Sequence, residues 1–200
     1  MLKTQMIAAL CGTALLAGCG PSSPEADPRD DAWYPCAPLD GREVFENDPL
    51  ETAGGNVGDA LPPLPFFNGE GEWVCLSDLP DQPVRIEVTT RWLSALSLDR
   101  EARAELAESV EDLGITWLTV VVQDEFAGRP DASDVRQYAI DHRLTTLVVG
   151  DHDERFRNAV DLLSFPLVLW ADADGVVAER TEGFEVEERV QQVVDQLIAE

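Results

Sequence analysis

Four cysteines are the residues of this 200-residue chain most able to do chemistry. A thiolate can be a nucleophile, a metal ligand or half of a disulfide, and its pKa and neighbours decide which. Cys11 and Cys19 lie in, and at the end of, an apolar N-terminal run. Cys36 lies in Trp33-Tyr34-Pro35-Cys36-Ala37-Pro38, and Cys75 in Trp73-Val74-Cys75-Leu76. The only imidazoles are His142 and His152. His142 reads as an ordinary surface cation near a helix end. His152, in Gly150-Asp151-His152-Asp153-Glu154, has carboxylates beside it that suit a divalent ion; the same residues suit a helix cap in a solvated loop. Asp172 and Asp174 open like a calcium loop, but the later Glu is missing, and a hairpin turn fits better. No Ser-His-Asp pattern and no phosphate-cradling glycine loop is present, so no metal or cofactor is expected.

The N-terminus bears on two of the cysteines. Met1-Leu2-Lys3 is a basic start, and residues 6–18 are almost wholly apolar or small, the pattern of a secretory signal. The run is too short for a spanning helix, which needs about 20 apolar residues. Leu16-Ala17-Gly18-Cys19 resembles the lipobox of bacterial lipoproteins. That resemblance implies cleavage before Cys19 and lipid on its sulfur, the alternative being an ordinary signal peptide with a chance cysteine. Several acyl chains give the firm membrane attachment that one chain does not. Gly20 stands where an Asp would favour inner-membrane retention, which leans towards an outer membrane, facing the periplasm, in a Gram-negative host.

Outside the cytoplasm, Cys36 and Cys75 most simply pair with each other. Read structurally, the bridge pins an N-terminal extension to the domain; closing a loop of about 40 residues is worth roughly 3–4 kcal/mol in the chain-entropy model. A relocated redox pair and free thiols remain open.

The predicted organisation is a signal peptide over residues 1–18, a Pro-, Ser- and Asp-rich tether over 19–32, an extension over 33–54, and one globular domain over 55–200. With 44% apolar residues the domain has enough material for a core. The net charge is −25; Lys3, the only lysine, leaves with the signal, and 13 arginines then face 39 carboxylates. Such a surface repels nucleic acid and anionic lipid head groups.

Strands and helices that would carry any site follow from periodicity. Residues 84–89 alternate and are β-branched, which predicts a strand, and 117–122 is a continuous apolar run that suits a strand buried on both faces. Leu98, Ala102, Leu106, Val110 and Leu113 make a helical stripe that Gly114 ends. A helix over 131–143 is capped by Asp131 or Ser133. A strand over 146–149, a helix over 154–163, strands over 167–170 and 176–179 around a turn at 172–175, and a final helix with Val186, Val190, Val193, Val194 and Leu197 inward complete the chain. Asn68-Gly69-Glu70-Gly71-Glu72 is a hairpin-type turn before a short strand at 73–76. Residues 54–58 and 62–65 read as turn and extended chain without regular structure. Alternating strands and helices predict an α/β three-layer sandwich with a mixed sheet.

This order resembles the thioredoxin fold in its extracytoplasmic redoxin form, related to TlpA and the peroxiredoxins. The matching residues are Gly55-Asn56-Val57-Gly58 with Leu64-Pro65-Phe66 in the lead-in, Leu76-Ser77-Asp78-Leu79 before the first core strand, the strand running into Trp92, Phe165-Pro166-Leu167 as the cis-proline segment, and the turn ending at Gly175. The resemblance spans roughly residues 55–198 and implies a thioredoxin-like α/β/α sandwich.

At the reactive position the resemblance breaks. Redoxins carry Trp-Cys-x-x-Cys at a helix start; here the stretch is Trp92-Leu93-Ser94-Ala95-Leu96. Leu93 and Leu96 stand where the attacking and resolving cysteines belong, and neither can supply a thiolate. Thr89 stands at the spacing of a peroxide-binding threonine, again without the cysteine. The expectation is therefore a redox-inactive binding or scaffolding module of the envelope, with a peptide or protein partner in an apolar groove of Trp92, Leu93, Leu96, Phe165 and Pro166. Trp170 is a weaker groove candidate. The alternative is a thiol-disulfide oxidoreductase that uses Cys36 and Cys75.

Overall fold

The computed structural model describes Cys36, residues 54–93 and residues 100–199. Cys19, Leu96, the signal and tether segments, and most of the 33–54 extension lie outside the described residues.

The β-branched and alternating runs build a seven-stranded sheet. Its strands are β1 (Pro65–Asn68), β2 (Trp73–Cys75), β3 (Val84–Thr90), β4 (Thr116–Gln123), β5 (Leu147–Asp151), β6 (Leu167–Ala171) and β7 (Val177–Glu182). They lie in the order β2-β1-β5-β4-β3-β6-β7. The central β3, β4 and β5 are parallel, and the outer strands are antiparallel to their neighbours. Parallel neighbours need a crossover, supplied by α1 (Arg100–Asp112) and α2 (Ala132–His142); α3 (Arg155–Ala159) and α4 (Glu187–Ile198) follow β5 and β7. This is the expected thioredoxin-like mixed-sheet sandwich.

Strand side chains alternate between faces, and each face is covered. On one, Val84, Ile86 and Val88 pack with Val120, Leu169, Phe66 and Phe156 of α3. On the other, Trp117, Val168 and Trp170 meet Ala107 and Val110 of α1 and Val190, Val193 and Val194 of α4. Val121 and Val148 meet Val135 and Tyr138 of α2 on that same face.

Local signals place the turns. Asp131 caps α2, accepting from the Asp134 amide at 3.0 Å. Asn68 Oδ1 accepts from the amides of Glu70 and Glu72, and Asp172 Oδ1 from those of Asp174 and Val176. Gly114 takes the positive φ, 81°, that ends the α1 segment. The Phe165–Pro166 peptide bond is cis, as the resemblance implies.

Several expectations need correction. Chain read as merely extended enters a strand at Pro65, because Phe66 and Phe67 are buried on opposite faces; two adjacent apolar residues hide a period of two. Leu113 and Val186 lie just outside α1 and α4 and are exposed, so neither belongs to a core stripe. The helix expected over 154–163 is the five-residue α3, with Asp161 soon after it in the left-handed region. His142 is no surface cation: it is 1% exposed and stacked on Tyr138, ring centroids 4.2 Å apart. Trp170 is wholly buried rather than a groove residue.

Candidate functional site

β3 delivers the chain to the corner where a redoxin does its chemistry. Buried Thr90 ends the strand, and its Oγ1 accepts from the Leu93 amide at 3.2 Å. Arg91 continues the edge by donating its amide to the Gln123 carbonyl and ion-pairing with Asp134 at 2.6 Å. Trp92 is turned outward, 39% exposed, its indole N–H held by Gln123 Oε1 at 3.0 Å. It meets Phe165 edge to face with ring centroids 5.8 Å apart. The corner thus presents an ordered aromatic pair beside cis Pro166. Leu93 is buried and serves the core rather than the groove surface, which corrects its place in the expected groove. Leu96 lies outside the described residues.

The cysteines among the described residues lie elsewhere. Cys36 and Cys75 form a disulfide with Cα atoms 5.5 Å apart, and both residues are buried. Cys75 ends β2, the edge strand, with β1, β5 and β4 between it and β3. Four strand spacings of about 4.8 Å put it roughly 19 Å from β3 across the sheet. Thiol exchange needs access to a sulfur, and both cysteines are buried.

Sequence reasoning missed a second feature, the charge on the helix-covered face of β3. Arg85 and Glu87 are 3% and 5% exposed. Arg85 bonds Glu87 at 3.2 Å and Glu185 at 2.9 Å, with its guanidinium 3.8 Å from the Trp117 ring centroid. Glu185 also accepts the Trp170 indole N–H at 2.9 Å. Arg103 of α1 bonds Glu87 at 2.7 Å and the Tyr138 hydroxyl at 2.9 Å. Burial opposes the charge on Glu87, but Arg103 and Arg85 outweigh it and hold the carboxyl below its usual range. Burial works against the Arg103 charge too, yet Glu87 beside it keeps the guanidinium firmly protonated. Burial, with Arg103 and Arg100 nearby, pushes the His142 imidazole down to about 4. The available signal was the fold class: a core strand of a three-layer sandwich is covered by helices, and a charge buried there must be paired.

This network floors a cavity of about 740 Å³ between α1 and α4. Its floor includes Arg85, Glu87 and Glu185, and its wall includes Leu106, Val168 and Val190. Two buried donors in its lining residues, Arg103 Nε and Trp117 Nε1, have no acceptor among the described residues. No three metal-ligating side chains converge among the described residues.

No family model and no curated protein matches the chain. Solved structures do. The exposed lipoprotein thioredoxin of Streptococcus pneumoniae is 18% identical with a TM-score of 0.54, over 67% of this chain and 98% of that one. A thioredoxin-like protein of Porphyromonas gingivalis is 20% identical with a TM-score of 0.55, over 70% and 92%. A secreted Mycobacterium tuberculosis disulfide oxidoreductase is 13% identical with a TM-score of 0.53, over 68% and 96%. At these identities the likeness establishes the fold: it is thioredoxin-like, of the type found in thiol-disulfide oxidoreductases.

Proposed function

We propose that this chain is an exported lipoprotein, anchored through lipid on Cys19, whose thioredoxin-like domain has lost thiol chemistry and binds a peptide or protein partner in the cell envelope. One observation carries the reading. The corner after β3 has cis Pro166 and the ordered Trp92–Phe165 pair, while Leu93, the residue that the sequence resemblance aligns with the nucleophile, is buried. An aromatic pair of exposed Trp92 and half-buried Phe165 suits an apolar or extended peptide, since aromatic residues are favoured binding anchors. That one solved neighbour is an exposed lipoprotein and another is secreted supports an extracytoplasmic site. A Gram-negative outer membrane is the destination favoured by Gly20.

The competing reading, an oxidoreductase that uses Cys36 and Cys75, requires that bridge to cycle. Thiol trapping of the full chain in graded redox buffers separates the two. A potential below about −300 mV marks a structural bridge, whereas about −120 to −230 mV is the range of thiol catalysts and would restore the enzyme. Binding is tested on a random-peptide array: Trp92→Ala and Phe165→Ala should each weaken capture about tenfold, and capture unchanged by both would remove the groove. Cys19→Ser should abolish lipid labelling.

A further inference from the structure

The cavity between α1 and α4 is separate from the Trp92–Phe165 surface, sharing only Pro166 at its edge. Its volume, about 740 Å³, falls in the range of small-molecule sites. Its charges divide into two sets. On the floor, Arg85 and Arg103 are matched by Glu87 and Glu185 at 2.7–3.2 Å, so the floor is neutral and its carboxylates are occupied. The two unpartnered floor donors are shut off from solvent and do not call for an anionic ligand. At the rim, Glu105 on α1 and Glu187 at the start of α4 are exposed. Neither makes an ion pair or hydrogen bond among the described residues. Between floor and rim the walls are apolar, with Leu106, Val190 and the exposed ring of Phe184.

We propose that this cavity binds an amphipathic organic cation, an ammonium or guanidinium group carried on an apolar body. The body would lie against Leu106, Val190 and Phe184, and the cationic head would sit between Glu105 and Glu187. The net charge of the chain, −25, adds long-range attraction for cations and repulsion for anions. Such a head can belong to a free amine or to the Lys or Arg side chain of a peptide. The proposal does not depend on the groove reading.

The test is calorimetric titration of the full chain in neutral detergent with two matched pairs: phenethylamine against 3-phenylpropionate, and N-acetyl-Phe-Arg-amide against N-acetyl-Phe-Glu-amide. At least one cation should bind with a Kd of about 1 mM or tighter, and its anionic partner should not. Which cation binds identifies the source. The Glu105→Gln/Glu187→Gln double variant should lose about tenfold in affinity with its urea midpoint unchanged, because both side chains are exposed. Trp92→Ala should leave cation binding intact, which separates this site from the groove. Equal affinity for both signs of charge, unchanged binding by the double variant, or no cation bound would overturn the proposal.

Discussion

Arg85 and Glu185 are 100 residues apart in the chain, and their side chains meet at 2.9 Å beneath α1 and α4. The contact joins a central strand to the segment leading into the last helix, with both side chains almost fully buried.

Breaking that contact from one side should be costly. Glu185→Ala leaves a buried guanidinium with half its partners gone and the Trp170 indole N–H without an acceptor, and should lower unfolding free energy by about 3–5 kcal/mol in urea titration. The Arg85→Met/Glu185→Leu double variant should lose less than the sum of its single changes, because no uncompensated charge remains.

His142 should titrate near pH 4 by NMR rather than near 6.5. Between those values the unfolded chain takes up a proton that the folded chain refuses, so stability is lost as pH falls through that window. His142→Phe keeps a ring against Tyr138 and removes the titration. Its stability relative to wild type should improve on going from pH 7 to pH 4.5.

Asp151 should behave with the opposite sign. It sits at the end of β5, buried, and accepts from the amides of Phe156 and Arg157 at 2.9 Å. Burial pushes its carboxyl up to about 6, with those two amides opposing. Between about 4 and 6 the folded chain holds a proton that the unfolded chain has released, so this residue adds stability as pH falls through the window. The difference between wild type and Asp151→Asn should move in favour of wild type on acidification from pH 7 to pH 4.5, read from urea midpoints.

Removing the disulfide should matter for stability. Cys36→Ser/Cys75→Ser opens a loop of sequence separation 39 and should cost roughly 3–4 kcal/mol. Peptide capture by the Trp92–Phe165 surface should survive at temperatures where the variant is still folded.

The core strands and the site differ in how readable they are, for physical reasons. β4 is legible because Trp117 and Val120-Val121-Val122 must be buried on both faces, and the turn at Asp172 because its side chain replaces backbone acceptors. Cis Pro166 is legible once the order of segments suggests a fold. β1 is not, because Phe66 and Phe67 mask the alternation. The partners of Arg85 and Glu87 are equally hidden, since Arg103 and Glu185 arrive from two other parts of the chain and only the packed sheet brings them together. His142 misleads because its neighbours in sequence are polar while its neighbours in space are Tyr138 and Arg103.

The bridge at the edge of the sheet has a mechanical meaning. It joins Cys36 directly to Cys75 across a sequence separation of 39. Tension applied at Cys36 passes through the sulfur bond to Cys75, at the end of β2, which is paired with β1 across the Pro65–Cys75 register. That load meets a three-residue outer strand first, and β1 stands between it and the central parallel strands. A pull at Cys36 is thus taken up at the margin of the sheet, with three strands between it and β3.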